Sequence, residues 1–263
     1  MFISKVLRFM LNNKTDYNRI SSNYDLRYKV HTMLGVNNTL QNIVKASKPE
    51  KILEVGCGTG QWLSELEYYD SMKVGVDSSF GMLRQVRKNG SKINLICADA
   101  NTLPFCRGLF DMIYCVNALH HFKDKAGFIR GTANLLKPDG TLSIVGVSPI
   151  NENDKWYVYD YFANVYDNDL LRFPSFDGVT KWMEDAGLRR ITKYDAERVE
   201  KDMIGEEVFS DNFLHKDQSS QLANLSDNEY ADGINKIKNA IHINPAQLFS
   251  TRLTFVCITG TKL

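Results

Sequence analysis

From Lys51 onward the chain alternates short apolar runs with segments whose apolar positions recur at helical spacing. Ile52 to Val55, Val74 to Val76, Asn94 to Cys97, Met112 to Val116 and Leu142 to Val147 predict strands. Gln61 to Glu67, Ser79 to Lys88 and Lys125 to Leu136 predict helices between them. Repeated βα units of this spacing imply an α/β fold, doubly wound, with a mostly parallel sheet, helices on both faces and right-handed crossovers. Lys137-Pro-Asp-Gly140 reads as a turn into the fifth strand, since Pro138 suits a turn entry and Gly140 its exit.

Either side of this block the pattern changes. Residues 1–46 predict a helical arm broken by a loop, its first part, Met1 to Leu11, being a short amphipathic helix. Lys5 and Arg8 interrupt that stretch and no small-residue cleavage site follows, which argues against a signal peptide. After Val147 comes an aromatic-dense stretch from Trp156 to Phe176, then a helix, Val179 to Ala186, stopped by Gly187. Arg190 to Tyr194 predicts a strand, and residues 205–243 are polar and helix-like, with Ser226 and Glu229 at capping-box spacing. Arg252 to Thr259 predicts the closing strand. With no repeat or linker to divide it, the chain reads as one domain over 1–263: arm 1–46, core 47–147, aromatic cap 148–180 and helical insertion 205–245.

Composition narrows the function. Lysine plus arginine nearly balance aspartate plus glutamate, for a formal net charge of +1. There is no global field for capturing a polyanion, so nucleic acid is disfavoured as the main partner. The five cysteines are scattered, with no Cys-x-x-Cys pair, which predicts reduced thiols in the cytoplasm rather than a disulfide frame or zinc site. No clustered His, Asp and Glu set suggests a catalytic metal, and no apolar run reaches the roughly 20 residues of a membrane span.

The chemistry gathers where strands end. The first predicted strand breaks at once into Gly56, Gly58 and Gly60, a backbone without Cβ atoms against which a ligand can lie, facing the N–H groups of the next helix. In an open parallel sheet ligands bind beyond the carboxyl ends of the strands, which here carry Gly56 to Gly60, Asp77, Asp99 and Asn117. Asp77, about 20 residues past the glycine turn, suits both hydroxyls of an adenosine-type ribose. Its other reading is a helix N-cap made by Asp77 or Ser78. Asp99 suits an exocyclic adenine amino group or, equally, a turn. A dinucleotide site wants Gly-x-Gly-x-x-Gly, but Gln61 stands where the third glycine belongs and Gly60 comes one residue early.

Glu54-x-Gly56-x-Gly58-x-Gly60 instead resembles motif I of the class I S-adenosylmethionine-dependent methyltransferases. The resemblance continues through Val74-Gly-Val-Asp77, Cys97-Ala-Asp99-Ala with Leu103-Pro104-Phe105, the run from Phe110 to Phe122, and Leu135 to Leu142, and so covers Lys51 to Val147. It is nearest the type 11 group, which includes quinone-biosynthesis and other small-molecule enzymes. The resemblance implies a seven-stranded sheet with an antiparallel last strand, and S-adenosylmethionine as cofactor. It implies that Gly56, Cys57, Gly58 and Gly60 meet the methionine end, with Asn117 near the sulfonium and Glu54 tying down the loop and reaching the amino group through water. Asp77 would hold the ribose and Asp99 with Ala100 the adenine edge, Ser78 and Met82 are further cofactor-binding candidates, and Tyr24 would close over from the arm.

Methyl transfer from a sulfonium is an in-line displacement with a neutral leaving group, so alignment and a dry site are the main requirements. A base is needed only for a protonated acceptor, and His121, expected to face the substrate pocket, and His120 are the candidates, against a purely packing role. Tyr157, Tyr161 and Phe162 of the cap, Tyr17 of the arm and His215 of the insertion are candidate substrate contacts, the cap rings reading equally as core. No Asn-Pro-Pro-Tyr or Asp-Pro-Pro-Tyr follows the fourth strand, which lowers the reading of a base-amino methyltransferase. A small-molecule acceptor, methylated at O, N or C, is the leading expectation. The alternatives are RNA or protein methylation and a non-catalytic, cofactor-binding regulatory protein.

Overall fold

The computed structural model describes residues 17–21, 33–66, 70–88 and 93–263. The helix expected over Met1 to Leu11 and the residue Tyr24 lie outside them. In chain order the elements are α1 (Leu34–Ser47), β1 (Lys51–Val55), α2 (Gln61–Glu65), β2 (Met72–Asp77), α3 (Phe80–Lys88), β3 (Asn94–Cys97), β4 (Phe110–Val116), α4 (Lys125–Leu135) and β5 (Leu136–Gly146). There follow β6 (Lys155–Trp156), α5 (Val158–Tyr161), α6 (Val165–Arg172), α7 (Phe176–Asp185), β7 (Leu188–Ile204), α8 (Ser220–Ala223), α9 (Asp227–Ile243) and β8 (Leu248–Lys262). Tyr17–Ile20 forms a helical turn.

Two compact units share these elements. The sheet unit comprises Met33–Ser148, Phe173–Arg198 and Thr254–Leu263. Its strands run in the order β3-β2-β1-β4-β5-β8, and β7 pairs with β8. Neighbours from β3 to β5 are parallel, whereas β5 and β8 are antiparallel, with Ile144 opposite Ile258. Strand order reverses between β1 and β4, which is where a ligand crevice opens in sheets of this kind. The apolar runs bury as their pattern requires: Leu53, Val55, Ile113, Cys115, Leu142 and Ile144 join Phe128 and Ile129 of α4 and Met183 of α7 in one core. Each such side chain contributes roughly 1.5–3 kcal/mol by leaving water.

Three details depart from the sequence reading. Lys137 to Gly140 is not a turn ahead of β5 but a bulge within it. Phe110 pairs with Leu136 and Met112 with Thr141, so six residues of one strand face three of the other, and Asp139 takes a positive φ of 61° to allow it. The strand expected over Arg190 to Tyr194 extends as β7 from Leu188 to Ile204. The count of strands rises from seven to eight because β6 pairs Lys155 with Arg252 and Trp156 with Thr251.

The helical unit holds Pro149–Arg172, Val199–Leu253 and the described residues among 1–32. Trp156, Tyr157, Phe162, Val208, Leu214, Ile237 and Phe249 form its core. Ser226 caps α9 as the spacing predicts: its hydroxyl accepts from the Glu229 N–H at 3.3 Å, and Glu229 accepts from the Ser226 N–H at 2.8 Å. We expect Ser226→Ala to lower unfolding stability by about 1 kcal/mol, read as a shift of the urea midpoint at unchanged slope.

Candidate active site

The residues that the sequence places at strand ends converge in the sheet unit. Gly56, Gly58 and Gly60 take positive φ values of 74°, 53° and 76°, so the chain reverses tightly on leaving β1. A Cβ on Gly56 would stand 2.5 Å from that of Ala118, and one on Gly60 would stand 2.9 Å from Val86. The loop is therefore pressed between the residues after β4 and helix α3.

Asp77, at the tip of β2, organises this loop. Its carboxylate accepts from the Gly58 N–H at 2.9 Å and from the Ser79 N–H at 2.8 Å. Two lone-pair sites per oxygen leave room for further donors such as a ribose diol. Burial raises its pKa, against which the N–H donors of Ser79, Gly58 and Ser78 act. The residue that caps α3 is Ser79, whose hydroxyl accepts from Met82 N–H at 3.2 Å, rather than Asp77 or Ser78. Ser78 is exposed, and the Met82 side chain is buried.

Asp99 is exposed beyond β3 and accepts from the Asn101 N–H at 2.8 Å, and Ala100 follows it half-buried. Asn101 in turn donates to the Asp124 carbonyl at 2.6 Å, fixing this loop to the start of α4. Nothing in the sequence pattern marks Asn101 for that task.

Glu54 is fully buried in β1. Tyr114 of β4, its register partner, donates a hydrogen bond to Oε2 at 3.3 Å, while Oε1 is buried with no partner. Burial holds the Glu54 carboxyl well above the usual range, with Tyr114 opposing and Asp77 adding to the shift. Among the described residues neither Glu54 nor Asp77 has an ion-pair partner, and the loop sits over these two acidic groups. Burial likewise pushes the Cys57 thiol up.

Asn117 closes β4 at a positive φ of 48°, its N–H bonded to the Val145 carbonyl at 2.7 Å and its Oδ1 buried without a partner. Beside it lies a crevice of about 340 Å³, counting its open mouth, walled by Ile144 to Val147, Phe173, Phe176 and Val256. His120 lines it and is stacked on Phe173, ring centroids 3.9 Å apart and planes 15° from parallel. His121, half-buried, packs on His120 at 3.9 Å. Phe173 belongs to the aromatic stretch, but its pairing with His120, 53 positions earlier, is brought about only by folding.

The remaining candidates belong to the helical unit. Tyr157 and Phe162 are core rings there, and Tyr157 donates to Asp211 at 2.9 Å. Tyr161 packs on Phe249 with centroids 5.3 Å apart, His215 is exposed, and Tyr17 is half-buried in its helical turn.

All five cysteines are free thiols. Among the described residues no group of His, Cys, Asp and Glu is arranged to hold a metal ion, and no helix is long and apolar enough to cross a membrane.

Residues 53–144 match the family model described as a methyltransferase domain. Over 155 residues the chain is 33% identical to a ubiquinone biosynthesis O-methyltransferase of Coxiella burnetii, covering 54% of this chain and 64% of that protein. It is 29% identical over 160 residues to a demethylmenaquinone methyltransferase of Corynebacterium kroppenstedtii, covering 59% and 66%. The chain thus spans somewhat less than two thirds of these relatives' length. In fold it is similar to an S-adenosylmethionine-dependent methyltransferase of Thermotoga maritima, possibly a histamine N-methyltransferase, with a TM-score of 0.59 at 19% identity over 94% of this chain and 98% of that one. The strand order, the antiparallel β8 and the glycine loop over Asp77 thus accompany a match of residues 53–144 to a methyltransferase domain and a fold similar to that of S-adenosylmethionine-dependent methyltransferases.

Proposed function

We propose that the protein transfers a methyl group from S-adenosylmethionine to a small-molecule acceptor, at oxygen, nitrogen or carbon. The observation that carries this reading is the apolar crevice opening beside Asn117, where an acceptor would meet the methionine end of the cofactor site. Water is a poor competitor in such a place, because Ile144, Val145, Phe173 and Val256 give it few partners. The names of the two quinone-pathway relatives agree with an apolar acceptor.

The site's residues fit the cofactor. The loop from Gly56 to Gly60 leaves main chain without Cβ bulk, Asp77 suits the ribose diol, and the Asp99–Ala100 loop suits the adenine edge. The partnerless oxygens of Glu54 and Asn117 suit the donors of its amino-acid end. When bound, the sulfonium supplies an electrophilic methyl and leaves as a neutral thioether. The chain's part is then to orient both molecules and to keep water out.

For an acceptor that arrives as a hydroxyl, His120 on the crevice wall would take the proton, with His121 packed behind it. We expect His120→Ala to lower turnover of such an acceptor about 100-fold with cofactor affinity unchanged, and His121→Ala to lower it less. Unchanged turnover in both variants would show that the pair only packs. The five free thiols agree with an enzyme of a reducing compartment such as the cytoplasm.

Labelled S-adenosylmethionine incubated with a fractionated small-molecule extract, followed by mass spectrometry, tests the assignment. A labelled small molecule is expected. Label entering only RNA or protein would redirect it, and failure to bind both S-adenosylmethionine and S-adenosylhomocysteine would remove it.

A further inference from the structure

Tyr114 lies outside the glycine loop and on no strand tip, yet its hydroxyl reaches the fully buried Glu54 carboxyl beneath that loop. β1 and β4 pair in parallel with Glu54 opposite Tyr114, so the phenol and the carboxyl project from adjacent strands as direct neighbours. Both residues are completely buried. The hydrogen bond at 3.3 Å engages Oε2, which fixes the carboxyl's rotation and leaves Oε1 as the oxygen without a partner. A buried polar atom with nothing bound to it is costly in a finished core and is commonly kept for a ligand.

We propose that Tyr114 is a positioning residue that holds the Glu54 carboxylate ready for the cationic ammonium group of the cofactor's amino-acid end. This rests on the cofactor assignment above. The groups facing Glu54 are Tyr114 and Cys115 from β4, Asp77 from β2, Cys57 from the loop and a main-chain N–H of Leu63 from α2. None of these groups is a cation, so among the described residues no positive charge stands where the ammonium would meet the pair. Removing the phenol hydroxyl takes away a donor that favours the ionised carboxyl, so Glu54 should hold its proton to higher pH.

The test compares two ligands by calorimetry on the full chain. S-adenosylhomocysteine carries the ammonium; 5′-methylthioadenosine shares the adenosine and sulfur but lacks the amino acid. In Tyr114→Phe, S-adenosylhomocysteine binding is expected to weaken about tenfold or more, the value of a hydrogen bond to a charged group, with 5′-methylthioadenosine unaffected. The pH below which S-adenosylhomocysteine binding is lost should also move upward. Glu54→Gln should show the same ligand selectivity, and adding Tyr114→Phe to it should cost nothing more. Equal losses for both ligands, or no loss for either, would overturn the proposal, as would an unmoved pH profile. Failure of the unmutated protein to bind S-adenosylhomocysteine would instead strike the cofactor assignment.

Discussion

Gly56→Ala is expected to abolish measurable binding of S-adenosylhomocysteine and to destabilise the protein by about 2–5 kcal/mol. Two costs add. Left-handed backbone costs a residue with a Cβ about 1–2 kcal/mol, and Gly56 has a φ of 74°. The new methyl would stand 2.5 Å from the Ala118 Cβ, a contact that real structures do not show, so the loop or the segment after β4 must shift. Overpacking of that kind typically adds about 1–3 kcal/mol. Either shift displaces the Gly58 N–H from Asp77 or moves Asn117, and the cradle is lost in both cases. Gly108→Ala is the control: its φ is 65°, but nothing stands within 4 Å of the added methyl, so only the backbone cost applies. Urea unfolding of the two variants separates the terms. If Gly56→Ala proves no less stable than Gly108→Ala, the close approach to Ala118 is not what holds the loop.

Arg172→Ala should cost about 3–5 kcal/mol by a different route, because it strands a buried charge. Asp169, 1% exposed, accepts from Arg172 at 2.7 Å, from the Tyr159 hydroxyl at 2.9 Å and from Gln221 at 3.1 Å. Burial raises the Asp169 pKa, and the Arg172 charge is the largest influence pulling it back. Without Arg172 the folded-state pKa rises further above its unfolded value. A carboxyl raised in the folded state binds its proton more tightly there, so stability is lost as pH climbs through and beyond the unfolded pKa. The variant's deficit should therefore be smallest near pH 4 and largest at neutral pH, measured by urea midpoints across that range. A deficit independent of pH would mean that Arg172 serves through its packing rather than its charge.

Much of this was readable because it is local. The glycine loop, Asp77, Asp99 and Asn117 each follow an apolar run by a residue or two, so periodicity locates the strand and the strand end locates the chemistry. The same locality explains why Ser226 and Glu229 announced α9. β7 was read as five residues and is seventeen because most of its side chains are exposed and polar. Its strand character comes from pairing with β8, a partner more than 40 residues away. Lys137 to Gly140 has turn chemistry and does bend the chain, but β4 lies beside it and draws the bend into the sheet as a bulge.

The candidate substrate residues show the limit more sharply. Aromatic density from Trp156 to Phe176 marked a cover over an acceptor, yet Tyr157 and Phe162 are rings of the helical unit's own core. Composition cannot tell a ring that waits for a ligand from one that already has neighbours. The rings that do line the crevice, Phe173 and Phe176, lie at the end of that same stretch, and Phe173 also stacks on His120.

By itself the sequence determined the βα alternation, the strand tips and the glycine spacing that separates a methyl donor site from a dinucleotide one. Each of these is written within a window of a few residues, through backbone freedom and side-chain periodicity. Only the tertiary structure decided that Tyr114 faces Glu54, that Ala118 presses on Gly56 and that His120 stacks on Phe173. Those contacts depend on strand order and register, which bring residues some 50 to 60 positions apart within bonding distance, and no local pattern encodes that distance.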